Sequence, residues 1–204
     1  MAEEKKTRAP QQRRSIDKKK KILDAAYQVF CARGFYKTTT IEVARRAGVS
    51  VGTLYSYFSD KNDLFNVILD RYDSEFDALR EQALDPGHGR PRSHREVIRA
   101  VMTTLLEQHE ASRELNREIK ILSFSDPAIA ARIDSQAGKI RAAIRSYFSA
   151  NWEDLRPVDL DAATVFVWRT ISSIVDLVVF EPQAIERQRI IDATVDALSA
   201  YLLK

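Results

Sequence analysis

The feature that most constrains this chain is the stretch from residue 159 to 180. It contains Val165, Phe166, Val167, Trp168, Ile171, Ile174, Val175, Leu177, Val178, Val179 and Phe180. The run is far too long for a strand, and as a helix it is apolar around much of its circumference. Such a helix must bury more than one face. Pro182 separates it from residues 183–203, where Ile191, Val195, Leu198 and Leu202 form a single stripe at helical spacing. No segment shows convincing period-2 alternation, no internal repeat is visible, and 6 Gly and 6 Pro in 204 residues are few for a turn-rich β protein. An all-α fold of about nine helices is expected.

The same spacing recurs upstream. Ile22, Ala25, Ala26, Val29 and Phe30 define a first helix over about 17–33, stopped by Gly34. Thr39 with Glu42 three residues on has the pattern of a capping box opening a short helix to Ala47. Gly48-Val49-Ser50 breaks that helix, and Ser50 can cap a third from Val51 to about Phe58. Ser59 or Asp60 can cap a fourth carrying Leu64, Phe65, Ile68, Leu69, Tyr72 and Phe76 to about Leu84. Asp85 to Pro91, with two Pro and two Gly, is the clearest break. Further helices are expected from Ser93, over 112–124, and from Asp126-Pro127 through Phe148, where Pro suits a first helical turn. Three parts follow: a flexible basic arm (1–16), a helix-turn-helix domain (17–60) and a larger helical domain (61–204).

The formal net charge is only +3, but it is unevenly spread. Residues 1–21 hold nine Lys/Arg against Glu3, Glu4 and Asp17, so the rest of the chain is net acidic. A basic front on a mildly acidic body suits a polyanion partner for the front alone. Cys31 is the only cysteine, which excludes an intrachain disulfide. The basic N-terminus is not followed by an apolar run of the kind a secretory signal needs. Ile171–Phe180 is short for a bilayer span and holds Asp176, so a cytoplasmic protein with no membrane partner is expected. His88, His94 and His109 are isolated, and His109-Glu110 lacks the second histidine of a metalloprotease motif. No phosphate-cradling glycine loop, nucleophile elbow or metal-ligand cluster is present, so neither an enzyme nor a metal or other cofactor is expected.

Residues 39–58 place two short helices around a tight glycine-containing turn, the arrangement in which a second helix enters the DNA major groove with its N-terminal residues at the base edges. That helix reads Val51-Gly52-Thr53-Leu54-Tyr55-Ser56-Tyr57-Phe58. Leu54 and Phe58, four apart, can face the core, leaving Gly52, Thr53, Tyr55 and Tyr57 outward. Glycine inside a helix costs roughly 0.8–1 kcal/mol relative to alanine, and close approach to a phosphate backbone gives a reason for Gly52. Tyr55 and Tyr57 offer hydroxyls to phosphates and ring surface to thymine methyls, although packing in the core would account for Tyr55 equally well. Lys61 opens the next helix, where its charge opposes the macrodipole. A phosphate contact would explain it, and so would an ordinary exposed lysine.

Ala47-Gly48-Val49-Ser50-Val51-Gly52-Thr53-Leu54-Tyr55-Ser56-Tyr57-Phe58 followed by Asp60-Lys61, with Ile22–Phe30, Gly34 and Val43-Ala44 upstream, closely resembles the DNA-binding domain of the tetracycline-repressor (TetR-like) family. The resemblance covers about residues 17–70. It implies a three-helix DNA-binding domain and a C-terminal helical domain for ligand binding and dimerisation, with the last two helices (near 159–180 and 183–203) pairing between subunits. It implies phosphate contacts by Thr40, Ser50, Thr53, Tyr57 and Lys61, with Thr39 also among the DNA-binding residues. It implies a groove-facing set of Val51, Gly52, Thr53 and Tyr55, in which Val51 offers a methyl contact only. Arg13, Arg14 and Lys18 resemble an arm reaching a minor groove or phosphates. The partners implied are a palindromic double-stranded operator, a second copy of the chain and a small-molecule effector that releases a repressor from DNA. The expected lining of the effector cavity is Phe76, Met102, Leu105, Leu106, His109, Phe124 and Trp168, and with no clear basic residue among them an apolar effector is expected. The competing readings are a helical adaptor that binds protein through its apolar last helices, and a membrane-surface binder using residues 5–21, which lack aromatic anchors.

Overall fold

A computed structural model describes residues 9–84 and 93–204, with side chains from Arg13 onward except those of Phe76 and residues 79–84. Most of the basic arm's first half, the Asp85–Pro91 break and the Phe76 side chain therefore lie outside the described residues. Nine α-helices form among the described residues: α1 (Ala9–Lys37), α2 (Thr40–Ala47), α3 (Val51–Tyr55), α4 (Lys61–Leu84), α5 (His94–Ala111), α6 (Arg113–Leu122), α7 (Pro127–Ala150), α8 (Leu160–Phe180) and α9 (Arg187–Leu202). A single isolated antiparallel bridge, Leu155 to Leu203, is the only β pairing among them. The chain divides into two compact units, Met1–Tyr72 and Asp73–Lys204. The division falls within α4, later than the 60/61 boundary expected from the motif.

In the N-terminal unit α1 begins at Ala9, not near 17. Pro10 sits in its first turn, where its missing N–H costs nothing and its fixed φ is already helical. Residues 9–16 are therefore helix and not a flexible arm. Gly34, at φ 73°, breaks the helix where a stop was expected. Beyond it Thr38 is buried and donates its hydroxyl to the Gly34 carbonyl at 2.5 Å. The core joins Ile22, Ala26 and Phe30 of α1 to Val43, Leu54, Leu64 and Ile68, all fully buried. The Phe65 ring packs tilted against both Phe30 (5.2 Å) and Phe35 (4.6 Å). Each such side chain contributes about 1.5–3 kcal/mol on full burial.

The C-terminal unit is a layered helical bundle. On α8 the buried stripe is Ala163, Val167, Ile171, Val175 and Val179, packed with Ile98, Met102 and Leu106 of α5, Ile140, Ile144 and Phe148 of α7, and Ile191, Val195, Leu198 and Leu202 of α9. Ion pairs lace the rim: Arg99–Asp192 (2.5 Å), Arg95–Asp196 and Arg187–Glu110 (2.7 Å) tie α5 to α9, and Lys120–Asp176 ties α6 to α8. Ser93 and Glu96 form a complete capping box at α5, while Asp126 caps α7 and Asp159 caps α8. α8 is long and apolar enough to cross a membrane by length and composition, which the shorter window 171–180 did not show. Its stripe is instead occupied by three neighbouring helices. Among the described residues only one face is filled: Val165 and Phe166 remain about half exposed, with Tyr201 of α9 against the Phe166 ring at 4.7 Å.

Candidate nucleic-acid interface

Short-range capping builds the helix-turn-helix. Thr39 accepts the Glu42 amide at 3.2 Å, and the Glu42 carboxylate receives Arg33 Nη1 at 2.6 Å. Gly48 closes α2 at φ 67°, a left-handed conformation that favours glycine. Ser50 then caps α3, its Oγ accepting the Thr53 amide at 3.1 Å and lying 2.8 Å from Thr53 Oγ1. α3 ends at Tyr55, three residues before the expected Phe58. The last turn tightens, with Tyr57 and Phe58 amides both donating to the Leu54 carbonyl at 3.0 and 3.1 Å. That tightening still turns Leu54 and Phe58 into the core, at 0% and 2% exposure.

The outward face is a set of hydroxyls. Tyr55 is exposed, so it does not pack in the core, and its Oη lies 3.0 Å from Thr40 Oγ1 on α2. Tyr57 is half-buried, with Oη 3.0 Å from Ser15 Oγ on α1. Val51 and Thr53 are half-buried and Gly52 is exposed. A Cβ added at Gly52 would meet only Ser50 Oγ, at 4.0 Å. No described residue therefore crowds a side chain at that position. Lys61 is held differently from an ordinary exposed lysine, its ammonium lying 4.1 Å from the centre of the Phe35 ring. Asp60, not Ser59, accepts the Asp63 amide (2.8 Å) to cap α4, and Asp63 in turn accepts the Ser59 amide at 2.9 Å. Arg13, Arg14 and Lys18–Lys21 are all exposed along α1. Ser15 was missed by sequence reasoning because it stood in a presumed arm. Pro10 followed by an unbroken helical register was the available signal.

Comparison with known proteins decides the family. Residues 22–68 match the bacterial regulatory proteins of the tetR family, and residues 93–202, more than half of the chain, match the tetracyclin repressor-like C-terminal domain. The chain belongs to the TetR family. An uncharacterized HTH-type transcriptional regulator, YhgD of Bacillus subtilis (strain 168), is 31% identical over 140 residues, covering 69% of this chain and 70% of that one. The HTH-type transcriptional repressor KstR of Rhodococcus jostii (strain RHA1) is 30% identical over 124 residues, covering 61% of this chain and 56% of that one. A solved transcriptional regulator from Saccharomonospora viridis, in complex with choline, superposes with TM-score 0.75 at 15% identity, over 91% of this chain and 97% of that chain, and so shares its fold. This TetR-family protein is thus an all-helical transcriptional regulator, with an N-terminal helix-turn-helix and a C-terminal domain of the ligand-binding type.

Four of the residues expected to line an effector cavity fall in one hydrophobic cluster. Met102 and Leu106 are fully buried in the core, while Leu105 and Trp168 pack against its edge. His109 is half-buried and lies 2.8 Å, through Nδ1, from the Leu105 carbonyl. A carbonyl only accepts, so Nδ1 carries the proton. Burial holds this histidine below its ordinary pKa, outweighing that hydrogen bond, and keeps the ring neutral. Phe124 is 88% exposed and borders an open groove with Ile121, Arg117, Lys120 and Phe180, not an enclosed cavity. It stands in the turn after α6, outside the core.

Proposed function

We propose that the chain is a cytoplasmic, homodimeric repressor that binds a palindromic operator through α3 and releases it when a small, largely apolar ligand binds the C-terminal unit. The observation that carries the DNA reading is the outward face of α3: an exposed Gly52 that no described residue crowds, flanked by hydroxyls of Ser50, Thr53, Tyr55 and Tyr57. Hydroxyls and backbone amides at a helix N-terminus are phosphate donors, and a glycine lets the backbone close on the duplex. Thr39, Thr40 and Lys61 extend this set, and Arg13, Arg14 and Lys18 add sequence-independent charge along α1. Val51 offers a base edge only its methyls. Dimerisation through α8 and α9 is supported by Val165 and Phe166, large apolar side chains that stay about half exposed on α8. The apolar character of Met102, Leu105, Leu106 and Trp168, which share one hydrophobic cluster, favours an apolar effector, with His109 beside Leu105 as the polar candidate.

Replacing Thr53 and Tyr57 together by alanine tests the reading. Competition gel shifts should show loss of competitor-resistant binding while sedimentation velocity still reports a dimer. Unchanged affinity would remove α3 from the interface.

A further inference from the structure

The buried stripe of α1 is Ile22, Ala25, Ala26, Val29 and Phe30. Three and seven residues before Ile22, at helical spacing, the same face of α1 carries Lys19 and Ser15. Both reach the segment that follows α3. The Lys19 ammonium lies 5.7 Å from the centre of the Phe58 ring, and Ser15 Oγ lies 3.0 Å from Tyr57 Oη. The N-terminal half of α1 thus continues the packing of its buried stripe, with a lysine stem and a hydroxyl in place of apolar side chains.

Tyr57 is the outward residue that most needs such a support. α3 ends at Tyr55, so Tyr57 stands in the tightened turn beyond it, and its hydroxyl sits at the far end of a long side chain. Tyr55 is held in the same manner from another helix, its Oη lying 3.0 Å from Thr40 Oγ1 of α2. Arg14, Lys18 and Lys19 lie within about one turn of Ser15 on α1, so the field around the Tyr57 hydroxyl favours an anion. A phosphate oxygen only accepts, so Tyr57 must give it its single proton. The Tyr57 oxygen keeps its lone pairs, and Ser15 has one proton to donate to them. Donation into a hydroxyl oxygen polarises that hydroxyl and makes its own proton a better donor.

We propose that Ser15 is a positioning residue for DNA binding: its hydroxyl, held against the segment after α3 by the N-terminal half of α1, donates to Tyr57 Oη and fixes the phenol as a donor to a DNA phosphate. The inference rests on the operator reading and adds to it a residue that acts through another. It assigns the early start of α1 a second role besides its charge.

The test is a double-mutant cycle in the full-length protein. The probe is the operator that wild type enriches from random double-stranded oligonucleotides, and affinity is read by fluorescence anisotropy at a salt concentration low enough for all four proteins to bind measurably. Ser15→Ala should lower affinity about fivefold per half-site, the worth of one hydrogen bond, and so about 25-fold for a dimer. Alanine is the better helix former, so the melting temperature should be unchanged or slightly raised. In a Tyr57→Phe background the same change should have no effect on affinity. Ser15→Thr, which keeps the hydroxyl, should restore wild-type binding. An equal loss in both backgrounds would mean that Ser15 meets DNA or supports the fold by itself, and overturns the proposal, as does an undiminished affinity in Ser15→Ala. Those two results leave the operator reading standing, whereas a wild type that enriches no operator takes down both.

Discussion

The two units are held together by different physics. In the N-terminal unit, function and fold share residues: Ser50 and Thr39 cap helices and face outward at the same time, and Leu54 and Tyr55 are neighbours on a five-residue helix with opposite duties. In the C-terminal unit the core is long apolar stripes laced by cross-helix ion pairs, and its polar features lie far apart in sequence, as with His94, Tyr147 and Asp154. A short-range site can be read from consecutive residues, whereas a site assembled from distant helices cannot.

The harshest way to separate the units is Phe30→Ala. Phe30 is fully buried, and the loss of such a ring costs about 3–5 kcal/mol. Both tryptophans, Trp152 and Trp168, belong to the C-terminal unit. Far-UV circular dichroism should therefore show an early transition that tryptophan fluorescence does not follow; identical shifts in both signals would show one cooperative block. Next comes Phe166→Glu, which puts a charge on the uncovered face of α8. It should turn the dimer into a monomer by sedimentation and abolish competitor-resistant DNA binding with little change in melting temperature. Arg13→Ala with Arg14→Ala should lower the slope of log affinity against log salt by about 1.8 if both touch phosphate. A flexible arm and the observed helix differ here: on a helix extending to Ala9, substituting proline at Ser15 should reproduce the loss. Ser50→Ala removes the cap of α3 and should cost about 1 kcal/mol of stability, with operator affinity falling further than melting temperature.

Much of the N-terminal unit was legible because its signals are local. Ser50 as a cap, Gly48 as a break and the Leu54–Phe58 pair all act over three or four residues, and the structure has them in those roles. The start of α1 was misplaced because a polar composition outweighed Pro10. α3 was drawn too long because its last turn tightens, which spacing alone does not reveal. In the C-terminal unit the stripes of α8 and α9 were legible, since apolar period reports burial. The burial of neighbouring apolar residues was not, because Val101 and Met102 are adjacent in sequence and alike in chemistry, and only packing decides that Met102 is fully buried while Val101 is not. Phe124 failed for the same reason: an aromatic residue near a helix end has no sequence mark that tells a core position from a surface turn.

The smaller effects concern pH. His109 is held below its ordinary pKa of 6.5 by burial, so the stability it lends is present above that value and is lost as pH falls through the lowered one. Replacing it by leucine should flatten the stability profile below about pH 6.5 in chemical denaturation. Asp192 is also lowered, chiefly by its hydrogen bond from Arg99. Its contribution is present above the ordinary carboxylate range and lost at still lower pH. This exposed pair should be the weakest of the effects, and Arg99→Ala should change the melting temperature least.

The central claim is that α3, duplicated by pairing of two chains, reads a duplex. Selection from random double-stranded oligonucleotides tests it most directly, with wild type and the Thr53→Ala, Tyr57→Ala double variant run side by side. Wild type should enrich two inverted half-sites with centres about 34–36 Å apart, or a multiple of that, and the variant should enrich none. Failure of wild type to enrich any motif over random competitor, or the same motif emerging with the variant, would contradict the account.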